Sequence, residues 1–301
     1  MVVDRPSGIP ESAYRVWDEG AGSVAPHPGD LWVLSWDAEV VGLALIASAR
    51  DDFVLVWPVT LHDENSFAPG RIVDHSPLGV PVTLWPTRET GIGIHLLDRS
   101  LGRLLESEEV RSVMRALDGD DAESPLAAAP GTARDADNVA ADRRLVEYWT
   151  ELCFHTGGVE AEGTLDSSQV QAEGGSPRWA ASALGLTPQQ LRPIWDGVVP
   201  ATNEQLAALA EGLNVDEAAL LRPDPLADVV TRLASPTFKS AIKDKMTSTG
   251  WSEAEIRRSV RTEYTLAARD DAATTDAIDR KLRDAISRVG RDARRGDDRV
   301  E

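Results

Sequence analysis

The stretch SPRWAASALGLTPQQLRPIWDGVVPATNEQLAALAEGLNVDEAALL, residues 176–221, decides how the second half of the chain folds. It carries three consecutive helix starts: Ser176 with Pro177 behind it, Thr187-Pro188-Gln189-Gln190, and Thr202-Asn203-Glu204-Gln205. In each, a side-chain oxygen can accept from a backbone N–H that the first helical turn leaves without a partner, and proline at the first helical position gives up a donor that had none. Trp179, Ala180, Leu184, Leu186, Leu191, Ile194, Leu206, Leu209, Leu213 and Val215 recur at spacings that close one small core, with turns at Gly185 and Gly197. Asp216 to Leu221 read as a fourth short helix. The expectation is a small all-helical core over residues 176–222.

The flanks extend this outward. After residue 225 the pattern is wholly helical, with Ser252 and Glu255 as a capping box for a helix through Ile256, Val260 and Leu266. Before residue 176 lies GGVEAEGTLDSSQVQAEGG (157–175), Gly-rich and free of cations. Residues 139–154 place Leu145, Tyr148, Trp149 and Leu152 at helical spacing, a helix expected to pack on the domain that follows. The acidic stretch DGDDAESPLAAAPGTARDAD (118–137) is too polar to contribute much core and reads as a flexible linker.

Upstream of the linker, runs such as LWVLSW (31–36) and FVLVWPVT (53–60) alternate Trp and Val in the manner of a pleated, half-buried surface. Strands are expected over 30–35, 40–48, 53–60, 71–73, 80–85 and 94–98, forming a small, mostly antiparallel barrel with Trp32, Trp36, Trp57 and Trp85 in its core. SEEVRSVMRAL (107–117) follows as an amphipathic helix with Val110, Val113, Met114 and Leu117 on one face. The predicted fold class is therefore α+β: an N-terminal β-barrel, an all-α domain and C-terminal helices. The predicted segments are 1–117, a linker over 118–138, 139–225 with its core at 176–222, and 226–301.

Composition limits what such a chain can do. The formal charge is −19, and residues 1–230 hold 15 Arg and no Lys against 37 Asp plus Glu, whereas residues 231–301 hold 16 cations against 13 acids. Such a molecule repels polyanions as a whole, so any nucleic-acid contact must be local. Cys153 is the single cysteine, and the histidines His27, His62, His75, His95 and His155 lack zinc-type spacing, so neither a metal nor a cofactor is expected. GIGIH (91–95) lacks the third glycine of a dinucleotide loop. With no basic-then-apolar leader and no apolar run near 20 residues, a cytoplasmic chain with no membrane partner is expected.

Residues 176–222 resemble the lambda-repressor-like, XRE-type helix-turn-helix family. The resemblance rests on the Ala180 and Leu184 pattern of a scaffold helix, TPQQLRPIWDG (187–197) as recognition helix and turn, and NEQLAALAEGLNV with DEAALL behind it. It implies a sequence-specific DNA-binding regulator and places Thr187, Gln189, Gln190 and Arg192 at the major groove, where Gln and Arg pair with adenine and guanine edges. It also implies a homodimer, although no dimer seam is legible in the sequence. Two departures stand out: Pro193 makes the recognition helix short or kinked, and the segment offers only Arg178, Arg192 and Arg222 against Asp196, Glu204, Glu211, Asp216 and Glu217. Arg257, Arg258 and Arg261, then Lys281, Arg291, Arg294 and Arg295, are either a further source of positive charge or a solvated face; the solvated face is favoured.

Residues 29–117, from GDLWVLSW through GIGIHLLDRSLGRL to the closing helix, resemble the MazF/PemK ribonuclease toxins, which are SH3-like barrels. In that family, metal-free RNA cleavage depends on an arginine entering the second strand and a Thr or Ser ending the third. Thr60 stands at the second position, but the first reads Val41-Gly42, leaving Arg88, His95 and Arg99 as substitutes. The expectation is therefore no enzyme: the barrel senses a ligand or docks a protein partner, as the C-terminal helices could also do. Two alternatives stay open, a toxin-type endoribonuclease and a protein-binding adaptor.

Overall fold

A computed structural model describes residues 5–21, 25–61, 66–119, 124–157, 163–267 and 274–290. The chain is a mixed α+β protein that divides into two units, Met1–His155 with Ala234–Ser240, and Thr156–Leu233 with Ala241–Glu301. Among the described residues no helix is long and apolar enough to cross a membrane.

In the first unit, helix α1 (Tyr14–Glu19) precedes strands β1 (Asp30–Trp36), β2 (Glu39–Ala49), β3 (Phe53–Leu61), β4 (Arg71–Val73), β5 (Val82–Leu84), β6 (Thr90–Gly93) and β7 (Leu97–Arg103). Helix α2 (Ser107–Leu117), the two-residue strand β8 (Ala127–Ala128) and helix α3 (Ala136–Cys153) complete it. Every ladder is antiparallel, in the order β7-β1-β2-β3-β5-β4-β8 with β6 beside β3. The sheet does not close into the expected barrel, since among the described residues no ladder joins β7 to β8.

The reason is written in the alternation of the central strands. Leu31, Val33, Leu43, Leu45, Trp57 and Val59 share one core with Trp17, Val110 and Val113 of α1 and α2. Their neighbours Trp32, Leu34, Ala44, Ile46, Val54 and Val56 point to the opposite face, which is equally dry and covered by Trp149 and Leu152 of α3. A sheet apolar on both faces needs a layer on each. Trp32, Trp57 and Trp85 are fully buried as expected, but Trp32 and Trp57 lie on opposite faces, and Trp36 is only half-buried at a strand end.

Three local expectations change. The helix expected to pack on the following domain packs instead on the sheet, because Leu145, Trp149 and Leu152 find there an apolar face otherwise open to water. The stretch read as linker is partly structured, with Ala127 and Ala128 pairing with Ile72 and Arg71. Of the expected strand at 94–98, Leu97 and Asp98 open β7, while Ile94–Leu96 form a 3-10 turn between β6 and β7.

The second unit is helical: α4 (Ser167–Ala172), α5 (Pro177–Ala183), α6 (Pro188–Trp195), α7 (Asn203–Leu213), then α8 (Ala227–Ala234), α9 (Lys239–Thr249), α10 (Glu253–Ala267) and α11 (Thr275–Arg288), the first residues of α9 belonging to the first unit. Ser176, Thr187 and Thr202 cap α5, α6 and α7 as their spacing predicts, and Glu217–Leu220 form a 3-10 turn. Gly185 and Gly197 stop α5 and α6 with positive φ (64° and 71°), which lets the backbone turn back and bond the last carbonyls, Leu186 N to Ala181 O and Val198 N to Pro193 O. The predicted apolar set forms one core, joined by Leu165, Val170 and Leu220 from outside it. Leu165 arrives on a short strand β9 (Gly163–Leu165) paired with β10 (Leu221–Pro223), so part of the Gly-rich stretch is ordered by a ladder whose other half lies beyond α7.

Ion pairs tie the C-terminal helices together. Arg232 on α8 forks onto Asp279 on α11 at 2.5 and 2.6 Å. This hydrogen-bonded guanidinium holds the Asp279 carboxyl below the usual carboxylate range. A depressed carboxyl pKa contributes stability above its unfolded value, and that contribution is lost as pH falls through the folded value. The urea midpoint is therefore expected to drop below about pH 4, and Asp279→Asn should lower the midpoint at pH 7 while flattening that acid limb. Parallel acid limbs in the two proteins would refute the assignment.

Candidate nucleic-acid interface

Helix α6 is the element on which the sequence places its DNA-facing residues. Leu191 and Ile194 turn inward to the core, leaving Thr187, Gln189, Gln190 and Arg192 exposed. The four are not equally available. Thr187 and Gln190 form a reciprocal capping box: Gln190 N donates to Thr187 Oγ1 at 3.3 Å, Thr187 N donates to Gln190 Oε1 at 2.9 Å, and the Thr187 hydroxyl lies 2.9 Å from the same oxygen. The Gln190 carbonyl oxygen is thus occupied, and its amide NH2 is the group left to point outward. Gln189 makes no side-chain hydrogen bond among the described residues. Arg192 is 83% exposed, its Nε 3.5 Å from Asp196 Oδ2, a loose pair that screening weakens further.

Pro193 lies within the last turn of α6. The helix stops two residues later at Trp195, and the Pro193 carbonyl accepts from both Val198 N (2.9 Å) and Val199 N (3.0 Å). The loop behind the helix is held by two arginines. Arg222 Nη2 donates to the Asp196 carbonyl at 3.3 Å. From α10, Arg261 Nε donates to the Val198 carbonyl at 2.7 Å while its two Nη atoms grip Asp224 at 2.5 and 2.8 Å.

This geometry corrects the favoured solvated-face reading of the C-terminal cations. Arg257 and Arg261 are buried, not solvated, and do not add to an exposed basic surface. Arg257 is paired with Glu253 one turn earlier, with Nη2 to Oε1 at 2.7 Å, and donates to the Leu233 carbonyl at 2.9 Å; burial pushes its pKa below the usual arginine value. Arg258 is exposed and Lys281 half-buried, while Arg291, Arg294 and Arg295 lie outside the described residues. Around α6 the exposed cations of residues 176–222 are Arg178 and Arg192.

The first unit engages each of its four toxin-type residues with other partners. Thr60 Oγ1 accepts from Trp85 Nε1 at 3.0 Å. Arg88 forks onto Asp142 of α3 at 3.0 and 2.8 Å. Arg99 donates to the Trp17 carbonyl and to Asp98. His95 Nε2 lies 2.9 Å from His155 Nδ1, both rings meeting Trp36 edge-on. The Val41-Gly42 position, where the family's arginine would stand, is covered by α3: the Trp149 ring sits 3.6 Å from where a Gly42 side chain would begin, and the Tyr148 hydroxyl donates to the Val41 carbonyl. His62 lies outside the described residues, among which no group of three or more His, Cys, Asp or Glu is placed to hold a metal.

One cluster escapes sequence reasoning altogether. Lys239 is buried, with Nζ donating to the carbonyls of Ser35 (2.8 Å) and His95 (2.9 Å) and lying 5.4 Å from the centre of the Trp36 ring. Nothing local marks this lysine, since its partners lie 204 and 144 positions away. Comparison of the chain with protein-family models, with curated proteins and with solved structures gives no match.

Proposed function

We propose that the chain is a sequence-specific DNA-binding transcriptional regulator or antitoxin-like repressor that presents α6 to the major groove. The observation that supports this most is the state of α6 itself. It is a short helix backed by a complete core and stopped by a glycine turn, with Gln189 and Arg192 outward and not committed to the fold. Those two side-chain types carry the donor patterns that read adenine and guanine edges. In this reading residues 176–222 are the XRE-type helix-turn-helix, and the first unit, an opened relative of the SH3-like barrel, senses a ligand or docks a protein partner. Protein docking without DNA is the second reading, favoured by the acidic surplus of Asp196, Glu204, Glu211, Asp216 and Glu217 around α6 and α7. The ribonuclease reading draws no support from Thr60, Arg88, His95 and Arg99, each of which is bonded to another part of the first unit.

Fluorescence anisotropy with labelled DNA from the region upstream of the chain's own coding sequence, against a scrambled control, tests the proposal. Tight binding to the native fragment alone is expected, with Arg192→Glu abolishing discrimination and Gln189→Ala costing about 1–3 kcal/mol at one base pair. Because Arg192 is spent on a base edge and Arg178 is the exposed cation left near the helix, a dimer should neutralise about two phosphates and give a log–log salt slope near −2. Equal binding to both DNAs, or wild-type discrimination by Arg192→Glu, would remove α6 as the reader.

A further inference from the structure

Helix α3 has two working sides. Leu145, Trp149 and Leu152 face the sheet. On the other side Val139, Val146 and Cys153 recur every seven residues, and Ala136, Arg143 and Thr150 recur with the same period three places earlier; all six are exposed. Alternating steps of three and four residues make the seam along which two helices pair lengthwise. The seam is about 26 Å long at 1.5 Å per residue, and Phe154, 76% exposed, extends it at the helix end.

We propose that this face of α3 pairs with the same face of a second copy of the chain, antiparallel, making the protein a homodimer. Arg143 decides the orientation. A parallel pair would set Arg143 against the partner's Arg143, two like charges in one layer of the seam. An antiparallel pair sets Arg143 against the partner's Val146 and beside the partner's Glu147, a contact the two-fold axis repeats. Neither Arg143 nor Glu147 makes an ion pair among the described residues, so both are available for it. The same register lays Thr150 against the partner's Val139 and Ala136 against the partner's Cys153, and the small Ala136 leaves room for the partner's Phe154 ring. One helix pair is a small interface, so dissociation in the micromolar range is expected. The inference does not rest on the DNA reading and is tested without DNA.

Ala136→Cys is the decisive variant. Residues 136 and 153 of one helix lie about 26 Å apart, far beyond the span of a disulfide, so a bridge between them must join two chains. After mild oxidation the variant should run as a dimer on a non-reducing gel, while the wild type, with Cys153 alone, stays monomeric under the same treatment. In sedimentation equilibrium Arg143→Glu should raise the dimer dissociation constant about tenfold or more, and Arg143→Glu with Glu147→Arg should restore it. A disulfide dimer through Cys153 alone would overturn the antiparallel seam. A variant that does not cross-link, with a wild type that stays monomeric at about 200 µM, would overturn the dimer.

Discussion

Replacing Arg261 by alanine lowers the stability of the second unit by about 3–5 kcal/mol, the cost of stranding one member of a buried ion pair. The Arg261 guanidinium is buried against Asp224 and the Val198 carbonyl. Its loss leaves the Asp224 carboxylate half-enclosed without its cation and frees the loop that follows α6. For a unit of this size the thermal midpoint should fall by roughly 6–20 °C. Arg261→Lys should recover only part of the loss, because an ammonium cannot fork onto a carboxylate and reach the carbonyl together. Arg258→Ala, three residues earlier and exposed, should stay within about 0.5 kcal/mol of wild type. The double variant Arg261→Leu with Asp224→Leu should cost less than the first change alone, since it leaves no charge without its partner. Calorimetry on the full chain checks all four; an Arg261→Ala loss below about 1 kcal/mol would show that the pair is only a surface contact.

The second large effect is expected at Lys239. Lys239→Ala removes a buried side chain and leaves the carbonyls of Ser35 and His95 without this donor, two costs that together reach about 3–5 kcal/mol. Lys239→Met separates them, because methionine refills most of the stem volume but donates nothing, so it should recover the cavity part alone. Emission from Trp36 should also change in both variants, since Nζ lies 5.4 Å from its ring centre. Denaturant titration of the full chain, followed by near-ultraviolet dichroism, reads the loss. If methionine were fully stabilising there, the two hydrogen bonds would carry no net stability and the site would be packing alone.

The parts of the fold legible in the sequence are those decided within a few residues. Thr187 and Gln190, or Thr202 and Gln205, are three positions apart and settle each other's helix start whatever surrounds them. The strands carrying LWVLSW and FVLVWPVT were equally plain, since alternation is local. It was not plain which layer each face would meet. Leu145, Trp149 and Leu152 announce an apolar side of α3 without naming the surface it seeks. Arg257 and Arg261 look like surface charge until Asp224, 37 positions away, and Glu253 are placed against them. The candidate site divides in the same way. Exposure of Gln189 and Arg192 follows from helix periodicity, whereas the covering of Val41-Gly42 by Trp149 and Tyr148 depends on a helix more than a hundred residues further along.

The return of Ala234–Ser240 to the first unit sets a timetable for biosynthesis. When His155 has left the ribosome, every strand of the large sheet exists, yet the lysine that binds its Trp36 end is still about 85 codons away, roughly 4–17 s at ordinary elongation rates. During that wait the capped helices α4 to α7 emerge and can fold on local information, so the unit encoded later completes its first core before the earlier one is finished. A nascent chain stalled between residues 156 and 238 would carry a sheet still lacking Lys239 at its Trp36 end, which makes that window the stretch of translation where a trigger-type chaperone has most to protect.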